Sequence, residues 1–169
     1  MKHINKYLLI LLSLPFFLGC ANDDGYSLDR FWVEVASVVP LDGGNYYVKL
    51  DDGKILWPVI SVTTEVPSAY TRAEVNYTIL SDVEGRTDQY VKINYLSTIL
   101  TKKIVTLTPE NEDSLGDNKI KILELWEGDN FLNIHFGVNI GGGGVLHSIN
   151  LADAGVDKDG FIHLQFRHN

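Results

Sequence analysis

Apolar and polar side chains alternate along most of this chain. In Phe31 to Val39 (FWVEVASVV), Phe31, Val33, Val35 and Val39 alternate with Trp32, Glu34 and Ala36. Asn45 to Leu50 (NYYVKL) and Lys54 to Trp57 flank Asp51-Asp52-Gly53. An Asp-Gly turn between two β-rich runs predicts a hairpin. Pro58 has no backbone donor, so it ends that strand or places it at a sheet edge. Ala73 to Leu80 sets Val75, Tyr77 and Ile79 against Glu74, Asn76 and Thr78, and Gln89 to Leu100 repeats the pattern with Val91, Ile93 and Tyr95. Period two with one apolar face marks antiparallel strands wetted on one side. Five such strands within roughly 75 residues suit a small barrel of the OB type.

Thr108 to Asp117 (TPENEDSLGD) breaks the pattern and reads as a linker. Beyond it, Lys119 to Trp126, Leu132 to Ile140, His147 to Leu151 and Phe161 to Phe166 are predicted strands. Turns fall at 127–130 and 157–160, and the Gly141–Gly144 run reads as a flexible hairpin connection. No stretch has helical periodicity, so the chain is predicted to be all-β: an OB-like barrel at 31–107, a linker at 108–117 and a short β-sandwich at 118–169.

The first residues have a different character. Lys2, His3 and Lys6 precede a short apolar run, Tyr7 to Leu18, and then Gly19-Cys20. A basic start, a short apolar core and a small residue at the cut read as a secretory signal over 1–19. Cys20 is the single cysteine, and Phe17-Leu18-Gly19-Cys20 resembles a lipobox, which makes Cys20 the expected lipid attachment point. Residues 20–30 then form a tether carrying Asp23 and Asp24. Removing Lys2 and Lys6 with a signal that holds no acid takes the formal charge from −8 to −10. Such a domain repels nucleic acid and anionic headgroups, so membrane attachment rests on the lipid. With one cysteine there is no internal disulfide, and the fold must hold by core burial.

Candidate chemistry is sparse. His147-Ser148 are adjacent and so point to opposite faces of a strand, and no Gly-x-Ser-x-Gly elbow occurs. His135 and His163 lie opposite the apolar sets of their strands and could meet with Asn133 and Gln165, but no histidine pair has metal-site spacing. Asp153, Asp157 and Asp159 near Gly155 and Gly160 read better as an acidic turn than as a calcium loop. No catalytic residue, metal or cofactor is expected. The aromatics remain. If Val33 and Val35 share the core face, Trp32 faces out or caps a barrel end. Tyr46 and Tyr47 are adjacent, so one must leave the core face. With Trp57 these rings are the candidate ligand-binding residues, for a sugar or a protein partner.

The collected features resemble one family. They are the lipobox, the acidic tail, Asp24-Gly25-Tyr26-Ser27-Leu28, Trp32-Val33, the Asp-Gly hairpin before Trp57-Pro58, Phe131-Leu132-Asn133-Ile134, His147-Ser148-Ile149-Asn150-Leu151 and Phe166-Arg167-His168-Asn169. The chain resembles the NigD-like lipoproteins of Bacteroidota. The resemblance implies an OB-type domain followed by a β-sandwich that continues past Asn169 in relatives, so the second domain here reads as cut short. It also implies an envelope protein for which bacteriocin immunity was proposed. The acidic tail resembles a surface-export signal, favouring the cell surface over a periplasm-facing outer-membrane position. The expected function is non-enzymatic binding. Accessory carbohydrate binding is the alternative.

Overall fold

The computed structural model describes residues 25–63, 67–139 and 146–169. The predicted signal at 1–19, the attachment point Cys20 and the Gly141–Gly144 run lie outside the described residues.

Five strands form the first body: β1 (Trp32–Pro40), β2 (Tyr46–Leu50), β3 (Ile55–Ser61), β4 (Thr71–Asp82) and β5 (Gln89–Thr98). They close a barrel in the order β1-β2-β3-β5-β4, with β4 returning antiparallel to β1 and β3 parallel to β5. The Asp51-Asp52-Gly53 turn forms as expected. Leu50 N–H donates to Lys54 O at 2.9 Å, and Gly53 takes φ 88°, which glycine adopts without a steric penalty. Pro58 does not end its strand: it pairs with Val91 of β5 at a register shift and β3 runs on to Ser61, while on the other side Pro58 lies past the last β2–β3 pair.

The barrel core contains Ala36, Val38, Val48, Leu50, Leu56, Val75, Tyr77, Val91 and Ile93. This reverses the expected face of β1. Val33 is 51% exposed, while Ala36 and Val38 are buried and Trp32 packs against the core. Both phases of β1 are apolar, so alternation alone could not choose. The structure sets Ala36 opposite Ala73 in the β1–β4 ladder, both wholly buried. Tyr95 is likewise outside, at 53% exposure. A register shift against Asn76 and Tyr77 changes the phase of β5, and Leu96 packs against the core instead.

The second body contains β6 (Val105–Thr106), the one-turn helix α1 (Glu112–Leu115), β7 (Ile120–Gly128), β8 (Phe131–Val138), β9 (Ile149–Val156) and β10 (Ile162–His168). One sheet has the order β10-β9-β6 and the other is the β7–β8 hairpin. Phe136 and Phe166 meet edge to face across the two sheets, with centroids 4.9 Å apart. This body begins earlier than the sequence suggested, because Val105 and Thr106 pair with Ala152 and Asp153. The stretch 108–117 is held to the end of β10: Asn118 N–H donates to His168 O, and Arg167 Nη2 donates to Glu112 O.

The tether also becomes ordered before β1. Tyr26 donates its hydroxyl to Asp82 Oδ1 at 2.5 Å and accepts from Gln89 Nε2 at 3.0 Å, fixing that residue to the β4–β5 end of the barrel.

Candidate functional site

The four aromatic candidates occupy two different settings. Trp32 stacks on Tyr77 at 6.0 Å and packs, half-buried, against the barrel core. Burial pushes the Tyr77 hydroxyl pKa up, and its bond to Glu34 Oε1 at 2.8 Å adds to that. Tyr46 is itself a core residue, with its hydroxyl 3.2 Å from Ser61 Oγ. The Tyr46 ring is buried, whereas Trp32 is half-buried with one face on Tyr77. Tyr47 is the neighbour that leaves the core, and it lies against Trp57 on the outside with centroids 5.4 Å apart. Across the next ladder, Trp57 lies opposite Tyr90, which is 39% exposed. Tyr47, Trp57 and Tyr90 thus form an outward aromatic row over β2, β3 and β5. Ile60 and Lys92 extend it as the next outward pair. Tyr90 escaped the sequence reading because it is far from Tyr47 in the chain and joins it only through the parallel β3–β5 ladder.

Beside the row lies a polar cluster. Asn94 Nδ2 donates to Asn76 Oδ1 and to Thr78 Oγ1, both at 3.0 Å.

A second locus joins the two bodies. Arg72, only 1% exposed, points out of β4 beneath the β7–β8 hairpin. Its guanidinium grips both oxygens of Asp51, at 2.8 and 2.9 Å. It also donates to Ser37 Oγ at 3.0 Å and to Asn133 Oδ1 at 2.9 Å. Trp126 Nε1 donates to the same Asp51 carboxylate at 2.9 Å, and the Phe131 ring lies 5.3 Å from the guanidinium carbon. The fork geometry suits a carboxylate, and each charge here has a partner. Next to it, Asp129 at the hairpin tip accepts from Lys49 Nζ at 2.5 Å and from the Tyr70 hydroxyl. Burial pushes the Asp129 carboxyl up, but the bonds from Lys49, Ser37 and Tyr70 outweigh burial and hold its pKa at about 2. The sequence showed Asp51 and Asp129 only as turn residues. Their cross-domain roles depend on partners far along the chain.

Two cavities flank β8. The one facing the barrel has about 410 Å³ and is lined by Glu74, Arg72, Glu124, Trp126 and His135 among others. The one facing β9 and β10 has about 130 Å³ and reaches Ile149, Leu151 and Phe166.

The histidines are used in separate pairs. His135 lies 3.6 Å from Glu124, His163 lies 2.9 Å from Asp157, and His147 Nδ1 lies 2.8 Å from His168 Nε2. His135 and His163, which could have met on one sheet face, instead each take a separate carboxylate partner, Glu124 and Asp157. Among the described residues, no three His, Cys, Asp or Glu side chains gather as a metal site. Asp157 instead caps its own turn, accepting from Asp159 and Phe161 N–H.

Comparison with known proteins accords with this architecture. Residues 35–99 match the NigD-like N-terminal OB domain and residues 103–169 match the NigD-like C-terminal beta sandwich domain. A protein of Parabacteroides distasonis described as toxin-related is 35% identical, with a TM-score of 0.69 over 83% of this chain and 69% of that one. The chain belongs to the NigD-like family.

Two further structures share its fold. One is a Bacteroides vulgatus protein of unknown function, 28% identical, with a TM-score of 0.72 over 83% of this chain and 68% of that one. The other is a NigD-like immunity protein of Bacteroides caccae, 18% identical, with a TM-score of 0.64 over 85% of this chain and 70% of that one. Among curated proteins none matches. The boundary between the two NigD-like matches, at 99 to 103, agrees with β6 belonging to the sandwich.

Proposed function

We propose that this NigD-like protein is a lipid-anchored envelope protein that binds a protein partner without catalysis, bacteriocin immunity being one case. It is held through Cys20 to the outer membrane, with the domain on the cell surface. The outward row of Tyr47, Trp57 and Tyr90 carries this reading. Aromatics that adjoin one another, Tyr47 and Trp57 half-buried and Tyr90 exposed, with Ile60 beside them and Lys92 at the rim, have the composition of an interface centre. Single exposed rings would mean little. The toxin-related description of the 35% identical relative is in keeping with immunity.

A carbohydrate partner is the second reading. The half-buried amides of Asn76 and Asn94 on the outward face of β4 and β5 favour it, since amides could bond sugar hydroxyls while a ring stacks on the sugar face.

The test uses sensitive Bacteroidota cells producing the wild-type chain, Cys20→Ala, or the Tyr47→Ala/Trp57→Ala pair. Each is challenged with culture supernatants from related strains and shaved with protease. Wild-type cells should survive higher supernatant doses and release the domain on shaving. Both variants should lose protection, the aromatic pair while still folded by thermal scan. Full protection by the folded aromatic variant would end the barrel-face reading. A glycan panel probed with the same variant separates sugar from protein.

A further inference from the structure

The segment that leads into β1 is fastened to the barrel at one point. Tyr26 donates its hydroxyl to Asp82 Oδ1 at 2.5 Å, and Gln89 Nε2 donates to the Tyr26 oxygen at 3.0 Å and to Asp82 Oδ1 at 3.2 Å. The three side chains close a ring of hydrogen bonds over the last residue of β4 and the first of β5. Gln89 is buried, which fixes its amide in place. The bonds from Tyr26 and Gln89 hold the Asp82 carboxyl below the usual carboxylate range, so the ring stays charged and closed at neutral pH. A turn then carries the chain toward β1, with Arg30 N–H on Ser27 O at 3.1 Å and Asp29 N–H on Ser27 Oγ at 3.3 Å. A tether that only had to be flexible would need none of these bonds.

The fastening and the second body sit at opposite ends of β4. That strand has 12 residues, with Arg72 near its start and Asp82 at its end. At about 3.3 Å per residue the two ends lie up to about 35 Å apart. Arg72 holds Asn133 of β8 and, through Asp51, Trp126 of β7. The chain from Cys20 to Tyr26 has 26 − 20 = 6 residue steps and reaches roughly 20 Å when fully extended. That is well short of the length of β4. With the ring broken, the free lead would run to Trp32 and reach roughly 40 Å, enough to match the whole strand. The ring therefore decides whether an anchor at Cys20 can orient the barrel.

We propose that the Asp82–Gln89 end of the barrel faces the lipid surface at close range and that the second body points away from it. This rests on the reading that Cys20 carries the lipid. Tyr26, Leu28 and Phe31 are exposed on the fastened segment. Rings and aliphatic side chains of this kind are at home among headgroups. Attraction between charges does not bring this end to the lipid. Arg30 and Lys54 are accompanied there by Asp29, Asp82 and Glu84, and Arg86 is taken up by Asp88 at 2.9 Å. The short lead and its fastening set the orientation, so it is insensitive to salt.

The test uses the full chain purified with its acyl groups from a Bacteroidota envelope and placed in phosphatidylcholine vesicles that contain a spin-labelled headgroup. Cys20 is the single cysteine, so with its sulfur acylated one added cysteine takes one fluorophore. Glu84→Cys marks the exposed β4–β5 turn, and Asp42→Cys marks the exposed β1–β2 connection at the Thr71 end of the barrel. Quenching should be several-fold stronger at position 84 than at position 42, at low and at high salt. Tyr26→Phe keeps the aromatic ring and loses only the hydroxyl, and it should at least halve that difference in a protein that still melts cooperatively. Equal quenching at the two positions, stronger quenching at position 42, a difference untouched by Tyr26→Phe, or one that salt abolishes would overturn the proposal. An intact mass without acyl chains, or protein that does not float with the vesicles, would overturn the anchoring reading and this proposal with it. Equal quenching of acylated, vesicle-bound protein would overturn this proposal alone.

Discussion

At the scale of single residues, the side chains that matter most join the two bodies. Asp129 illustrates this. Its side chain is 3% exposed, and its pKa is about 2 because Lys49, Ser37 and Tyr70 favour the ionised form despite burial. A carboxyl whose folded pKa lies below the unfolded value of about 3.9 adds stability that is complete above pH 4 and lost as pH falls through about 2. The difference corresponds to about 2 kcal/mol at neutral pH. Asp129→Asn should therefore lower stability at pH 7 by roughly that amount and by much less at pH 2, as read from urea midpoints across the range. Equal losses at both pH values would mean that the carboxylate charge does not matter. Arg72 makes a stronger case. Arg72→Met leaves the Asp51 carboxylate under the hairpin with only Trp126 donating to it, and breaking such a pair costs about 3 kcal/mol or more. Equilibrium unfolding should show that loss, and Asp51→Asn/Arg72→Met should recover part of it.

At the scale of elements, the β7–β8 hairpin decides how the bodies fit. Its two-residue turn places Asp129 and Asn130 at φ 46° and 65°, the conformation of the tight turn that matches strand twist. Gly128 just before it lies flush against Asp51, where an added Cβ would overlap the carboxylate. Its φ is not in the left-handed region, so the requirement there is space. Gly53 is the opposite case, with φ 88° and nothing within 4 Å of an added Cβ. Gly128→Ala should thus cost about 1–3 kcal/mol by overpacking and weaken the Arg72–Asp51 grip. Gly53→Ala should cost about 1–2 kcal/mol from backbone strain alone and leave that grip intact. Thermal melts read the cost, and a double-mutant cycle with Arg72→Met separates the two: coupling for Gly128→Ala, near-additivity for Gly53→Ala.

The same scale shows what was legible beforehand. Each barrel strand was located by alternation and turn residues, because period two and Asp-Gly turns are local signals, but the run of β3 past Pro58 to Ser61 depends on its pairing with β5. The face of β1 was not, since Val35, Ala36, Val38 and Val39 make both phases apolar and only the opposing Ala73 decides. The phase change at Tyr95 was hidden because a bulge leaves no mark in composition. Within the candidate site, Tyr47 and Trp57 could be picked out as aromatics, but Tyr90, Arg72 and Asp129 acquire their roles through contacts at long sequence separation. Only assembled strands reveal them.

At the scale of the whole molecule, the two bodies differ in what they bury. The barrel has a closed core, whereas Ala152 is the fully buried apolar side chain of the second body among the described residues. Ile122, Leu125, Ile162 and Leu164 are exposed there. Apolar burial is the main favourable term in folding, so a body with so little of it draws its stability from its neighbour. The neighbour's grip is the Arg72, Asp51, Trp126 and Asn133 network with the Asp129 tip, and it is polar and geometrically exacting. The expected consequence is that wild-type protein melts in a single calorimetric transition with equal calorimetric and van't Hoff enthalpies. Substituting Gly128→Val should push the hairpin off Asp51 and split the transition, the second body melting first while the barrel keeps its midpoint. Hydrogen exchange should then show early opening across β7 to β10 and continued protection of β1, β4 and β5. A Gly128→Val protein that still melts as one unit would place the coupling elsewhere, in the segment that leads from β5 to β6 with its Lys102 bridge to β9.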